Sequence, residues 1–177
     1  MRRIPLAVCC MALCCLPALG QKEQAAKGAS AAPMADQGFV DFAAQTDMME
    51  AHLGQMAAER AATQSVKDYA QMLVTDHTND YQELGEVAAK ANLTVPKGLD
   101  AAHGRMIAPF EKLKGAAFDS SYAHEMIVGH TGAIAVYKKE AADAQNADLK
   151  TYATATLPTL QKHLDGAKDL SKKPSKK

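Results

Sequence analysis

A chain of 177 residues suits one domain with short appendages, and its 20 basic and 20 acidic side chains leave no positive surplus for a nucleic-acid footprint. Aromatic residues make up only 5% and Trp is absent, which argues against an ordinary β-sandwich. Ala, Met, Leu, Gln, Lys and Glu are abundant, and these residues favour helix.

The first 20 residues read as a secretory signal. Arg2 and Arg3 supply the positive start, residues 4–19 are apolar but short for a bilayer span, and Ala18 and Gly20 set a cleavage site before Gln21. An uncleaved anchor and a lipoprotein are the alternatives, since Cys9, Cys10, Cys14 and Cys15 lie in the apolar run. None of them joins a small preceding residue to a Leu three before. Cleavage removes all four Cys, so the mature chain has no disulfide or thiolate chemistry. Losing Arg2 and Arg3 takes the basic residues from 20 to 18, against 20 acidic ones. Any metal would then be held by His and carboxylate alone.

Residues 21–36 lack an apolar period and read as a flexible tether. A helical domain is expected over 37–171, followed by a basic tail, 172–177, that contains Pro174. Helix one is predicted over 38–62, with Asp36 as N-cap and a stripe of Phe39, Ala43, Thr46, Glu50, Leu53 and Ala57. Helix two is predicted over 65–91, opened by Ser65 and Asp68 as a capping-box variant, with a stripe through Val66, Ala70, Leu73, His77, Tyr81, Leu84 and Ala88. The two-residue link between them makes them antiparallel neighbours.

Residues 92–115 are broken by Pro96, Gly98, Gly104 and Pro109 and are long for a turn. They can cross the length of a bundle, with a short helix near 99–103 or 106–113. Helix three follows over 117–144, with a stripe through Phe118, Tyr122, Met126, His130, Ile134 and Tyr137. Helix four spans 148–170, with Leu149, Ala153, Leu160, His163 and Ala167 on its stripe and Pro158 as a kink or a 3₁₀ start. Short link, long crossover, short link describes an all-α, ferritin-like four-helix bundle, in which the second and third helices run parallel.

Each helix carries one metal-capable residue on its apolar stripe. Glu50, His77 and His130 lie at their helix centres, and His163 sits about one turn, roughly 5 Å, beyond its own. Buried polar groups need partners, and these four can partner one another through an ion. A lone core His is more often satisfied by a Tyr or a carbonyl; four at one depth shift the balance to a shared site. Three imidazoles and a carboxylate suit Zn, Fe, Mn or Cu rather than Ca or Mg. A di-iron centre would need Glu three residues before the His of two helices, where Val74, Ile127 and Leu160 stand instead, so one mononuclear divalent transition metal is the expectation.

Asp80 and Tyr81, three and four residues after His77, are candidates to orient its imidazole. Asp76 points away from His77, toward solvent or a salt bridge. His52, His103 and His124 fall off the stripe or in the crossover, and Met49, Met56, Met72 and Met126 read as core filler. There is no nucleophile elbow, phosphate-cradling glycine loop or H-E-x-x-H.

Several patches together resemble a bacterial family, the domain of unknown function 4142. They are Phe39, Val40, Ala43 and Ala44; Glu50; Val66, Lys67, Tyr69, Ala70, Met72, Val74, Asp76 and His77; residues 115–119 with Tyr122; His130; and Leu157, Pro158, Leu160, His163 and Leu164. The likeness runs from about residue 38 to 170. It implies a ferritin-like fold and export, and an outer-membrane label often goes with it. That label is at odds with a helical chain lacking a β-barrel pattern, so the expected location is the periplasm or cell envelope. The resemblance implies no reaction. Two functions follow from the residues: an exported protein that holds one metal ion for metal handling or stress response, or a non-catalytic envelope module that binds a protein partner and whose polar core is a hydrogen-bond network. A hydrolase or oxidase would further require an open coordination position and a cleft. No nucleic acid partner and no transmembrane span after cleavage are expected.

Overall fold

The computed structural model describes residues 35–172. The expected signal, most of the tether and the end of the basic tail lie outside them. Among the described residues the chain is all-helical: α1 is Asp36–Arg60, α2 Gln64–Lys90, α3 Ala101–Ile107, α4 Gly115–Asp143 and α5 Ala147–Lys172, with a 3₁₀ helix at Ala108–Lys112 between α3 and α4. No described helix is long and apolar enough to cross a membrane.

Helix boundaries differ from the sequence expectation where local chemistry competes. α1 begins at Asp36, with Ala35 at the cap and no side-chain bond there. The Asp36 carboxylate instead accepts the backbone N–H of Gln145 and Asn146, fixing the α4–α5 link to the start of α1. At α2 the cap is Thr63, whose hydroxyl accepts from Val66 N–H, while Ser65 only bonds back to Thr63. The α1–α2 link is held by Asp119 of α4, which accepts the N–H groups of Ala62 and Thr63. α2 ends in a Schellman turn: Leu93 N–H bonds Ala88 O, Asn92 N–H bonds Ala89 O, and Asn92 takes φ 57°. Asn tolerates this left-handed conformation better than most residues.

The segment after α2 is pinned by side chains of the long helices. Gln37 bonds Thr94, Tyr81 donates to Pro96 O, Gln45 bridges Gly98 O and Asp100 N–H, and Arg60 donates to Glu111 O. Pro158 neither breaks α5 nor starts a 3₁₀ turn; it sits in a continuous helix. Pro158 and Thr154, whose carbonyl loses its helical donor, are both exposed, so water can take that place.

The four long helices pack in a ring, α1 on α2, α2 on α5, α5 on α4 and α4 on α1. Two apolar clusters fill the interior. One gathers Phe39, Val40, Leu84, Tyr137, Leu149, Tyr152 and Leu160, and the other Met49, Leu53, Leu73, Phe110, Phe118, Tyr122 and Met126. Fully buried Leu and Phe side chains of this kind stabilise by about 1.5–3 kcal/mol each. Glu50, His77, His130 and His163 occupy the middle of the long helices where the stripes change from one cluster to the other, while buried Asp119 and Glu140 lie near the ends of α4.

Candidate metal centre

One turn of each long helix supplies one side chain to this middle layer: Glu50 from α1, His77 from α2, His130 from α4 and His163 from α5, all 0–2% exposed. The three imidazole rings have centroids 5.2–5.7 Å apart. One ring nitrogen of each lies within 4.8 Å of the others. Glu50 Oε2 is 2.9 Å from His77 Nε2 and 3.2 Å from His130 Nε2. Donors bound at about 2.1 Å to one tetrahedral ion stand about 3.4 Å apart, so the rings need to close by no more than about 1.4 Å.

The remaining nitrogens decide what faces inward. His77 Nδ1 bonds Asp47 Oδ1 at 2.8 Å, His130 Nδ1 bonds Met126 O at 2.9 Å, and His163 Nε2 bonds Asp76 Oδ2 at 2.9 Å. Each partner is an acceptor, so each of these ring nitrogens carries the proton. In a neutral ring the lone pair is then left on His77 Nε2, His130 Nε2 and His163 Nδ1. Those three atoms, with both Glu50 carboxylate oxygens, are buried and have no hydrogen-bond partner. The Glu50–His77 approach is short enough for an ion pair but out of line for a hydrogen bond. Leaving a buried polar atom unpaired costs about 1–3 kcal/mol. Four inward-facing donor groups left bare, with their far sides tied down, is the arrangement a metal site needs.

Charge is divided unevenly. Burial opposes ionisation of Glu50, but His130, His77 and His163 outweigh it and hold its pKa below the usual carboxylate value. Burial likewise opposes protonation of His77, yet Glu50 and Asp47 raise its pKa well above that of an ordinary imidazole. His130 is depressed by burial, and His163 is lowered to about 4, by burial first and then despite its bond to Asp76. Burial pushes Asp47 up to about 7 in spite of His77. The centre without an ion is thus a Glu50–His77 ion pair beside two neutral imidazoles.

Packing shapes the space around Glu50. A Cβ on Gly129 would stand 3.2 Å from Glu50 Oε1. A Cβ on Gly54 would meet Val74 Cγ2 at 2.7 Å and the Ala70 carbonyl oxygen at 3.0 Å, so this glycine lets α1 approach α2. Tyr69 of α2 donates to His163 O at 2.8 Å and ties α5 in place.

Asp80 and Tyr81 do not take the role expected of them. Asp80 accepts from Tyr152 at 2.8 Å and more weakly from Thr156 and Tyr137, because its carboxylate turns toward α5. Tyr81 reaches the crossover at Pro96 O. Asp47 holds His77 instead; it lies three residues before Glu50 on the same face of α1, a spacing present in the sequence. Asp76 also departs from expectation, for it meets α5 and orients His163. His52 and His124 are exposed, and His103 is half-buried within α3, bonded to Asp100. Met49 and Met126 are core residues, and Met126 also supplies the carbonyl that holds His130.

Over residues 21–170 the sequence matches a family profile described as a domain of unknown function, DUF4142. Solved structures of CopM share the fold. The Cu(II)-bound form aligns with TM-score 0.66 at 16% identity, covering 78% of this chain and 97% of that one. The Cu(I)-bound form gives 0.65 at 12% identity over 78% and 96%, and the silver-soaked form 0.64 at 14% over 79% and 96%. No curated protein matches significantly.

Proposed function

We propose that this chain, which belongs to the domain of unknown function 4142 family, is an exported helical protein that holds one divalent transition-metal ion on Glu50, His77, His130 and His163 as a metal-handling or stress-response function. One observation carries the reading: one ring nitrogen of each of three imidazoles and a carboxylate face one another without a hydrogen bond in the dry interior, while the second ring nitrogen of each imidazole is committed to an acceptor. Such a donor set supplies a closed, borderline-soft site for Zn²⁺, Fe²⁺, Mn²⁺ or Cu²⁺, with Cu²⁺ bound most tightly on general grounds. CopM structures with copper or silver put copper first among the ions worth testing.

The ferritin-like four-helix topology belongs to the same reading. It is supported by the order in which the helices meet the two apolar clusters: α1 and α5 pass from the Phe39 cluster to the Leu53 cluster, and α2 and α4 in reverse. Export to the periplasm or envelope rests on the first 20 residues. The chain from Gln21, purified without an affinity tag of histidines, should bind one ion per molecule. A His77→Ala/His130→Ala double variant that still folds should bind none. Equal and negligible metal in both ends the proposal.

A second reading has one observation in its favour: His77 already pairs with Glu50 and Asp47 without an ion. In that case the polar layer fixes helix register in a module that binds an envelope protein partner. Thermal stability indifferent to added metal and to chelator would select it.

A further inference from the structure

A cavity of about 350 Å³ opens on the flank of the helix ring between α2 and α5. At its inner end lie His77 and His163, both almost fully buried and each with a ring nitrogen that has no hydrogen-bond partner. Its lining also carries Asp76, Asp80 and Glu83, against one cation, Lys162; Glu83 is exposed and Asp80 is partly buried against Tyr152. Asp76 joins the two ends: its side chain is 31% exposed, and its Oδ2 bonds the buried His163 Nε2.

The two apolar clusters lie on either side of the polar layer along the helices, and a desolvated ion crossing either would meet a large barrier. The flank offers walls carrying three carboxylates against one cation instead. A cleft lined by one sign of charge between low-dielectric walls concentrates ions of the opposite sign and speeds their arrival.

We infer that metal ions load and leave through this lateral cavity, drawn by the Asp76, Asp80 and Glu83 carboxylates and passed to His163 and His77. The inference rests on the metal-binding reading above and adds the path and the groups that set its rate. Affinity belongs to the four inward donors, whereas loading speed belongs to the mouth, where Glu83 and Thr159 touch none of them and Asp76 reaches one, His163.

Stopped-flow loading of Zn²⁺ and Cu²⁺, and their release to an excess of chelator, test this on the intact chain. Thr159→Trp sits on the exposed rim and should slow loading and release together by tenfold or more, with the dissociation constant unchanged. Glu83→Lys should slow loading severalfold and flatten its dependence on salt. Val128→Trp, on an exposed position of α4, is the control and should leave both rates alone. Unchanged rates in Thr159→Trp and Glu83→Lys, equal slowing by Val128→Trp, or a weakened equilibrium with unchanged loading would each overturn the route while leaving the metal site standing. A parent chain that binds neither ion removes the site and the route together.

Discussion

The division of charge in the centre predicts how many protons an incoming ion must displace. His77 is held protonated by Glu50 and Asp47, His130 and His163 are already neutral, and Glu50 is already ionised. At pH 8 three ordinary imidazoles with pKa about 6.5 would together carry only about 0.1 proton. This centre should instead release clearly more, up to one, from His77 Nε2. Each unit by which the His77 pKa exceeds the pH costs about 1.4 kcal/mol, or tenfold in apparent affinity. Affinity should therefore keep rising at pH values where an ordinary three-histidine site has already levelled off. Calorimetric titration at pH 8 in two buffers of different ionisation heat reads the proton number directly. His77→Gln should bring it near zero, which separates the imidazole proton from one lost by metal-bound water, since that would survive the substitution. A value near zero for the unaltered protein would refute the Glu50–His77 ion pair on which the reasoning stands.

Three other outcomes are expected. Gly129→Ala presses a methyl against Glu50 Oε1, so metal affinity should fall by about tenfold or more while the melting temperature holds or rises with the better helix former. Gly54→Ala should destabilise by about 1–3 kcal/mol because its Cβ meets α2, whereas Gly132→Ala, open on all sides, should add up to about 1 kcal/mol; denaturant unfolding of both checks the pair. Glu140 is raised to about 7, chiefly by burial and then by Asp36 and Asp143. The stability from its elevated pKa is present in full below the unfolded value of about 4.5 and is lost as pH climbs through about 7. Glu140→Gln should thus raise the melting temperature at pH 8 and change little at pH 4, and a thermal scan showing the opposite trend would contradict this.

Helical periodicity made the four long helices legible, together with the side chains they turn inward, because Glu50, His77, His130 and His163 interrupt otherwise apolar stripes. Their mutual approach followed from depth along each helix. The residues that orient the imidazoles were harder to read. Asp47 was within reach, one turn before Glu50, but sits beside the stripe rather than on it. Asp76 was invisible to single-helix reasoning because its partner, His163, lies 87 residues away on α5 and meets it only through the α2–α5 packing. The Asp36 contact to the α4–α5 link escaped for the same reason: a cap expected from local sequence was drawn off by a tertiary donor.

The inward donors come from four separate helices, and at least 27 residues separate any two of them in the chain, the shortest gap being Glu50 to His77. No single helix carries more than one of them. Occupancy and native structure are therefore a single equilibrium: free ion at a hundred times its dissociation constant would protect the folded state by about 2.7 kcal/mol. If the proposed site is filled, a variant that loses the native packing should lose its ion in the same transition.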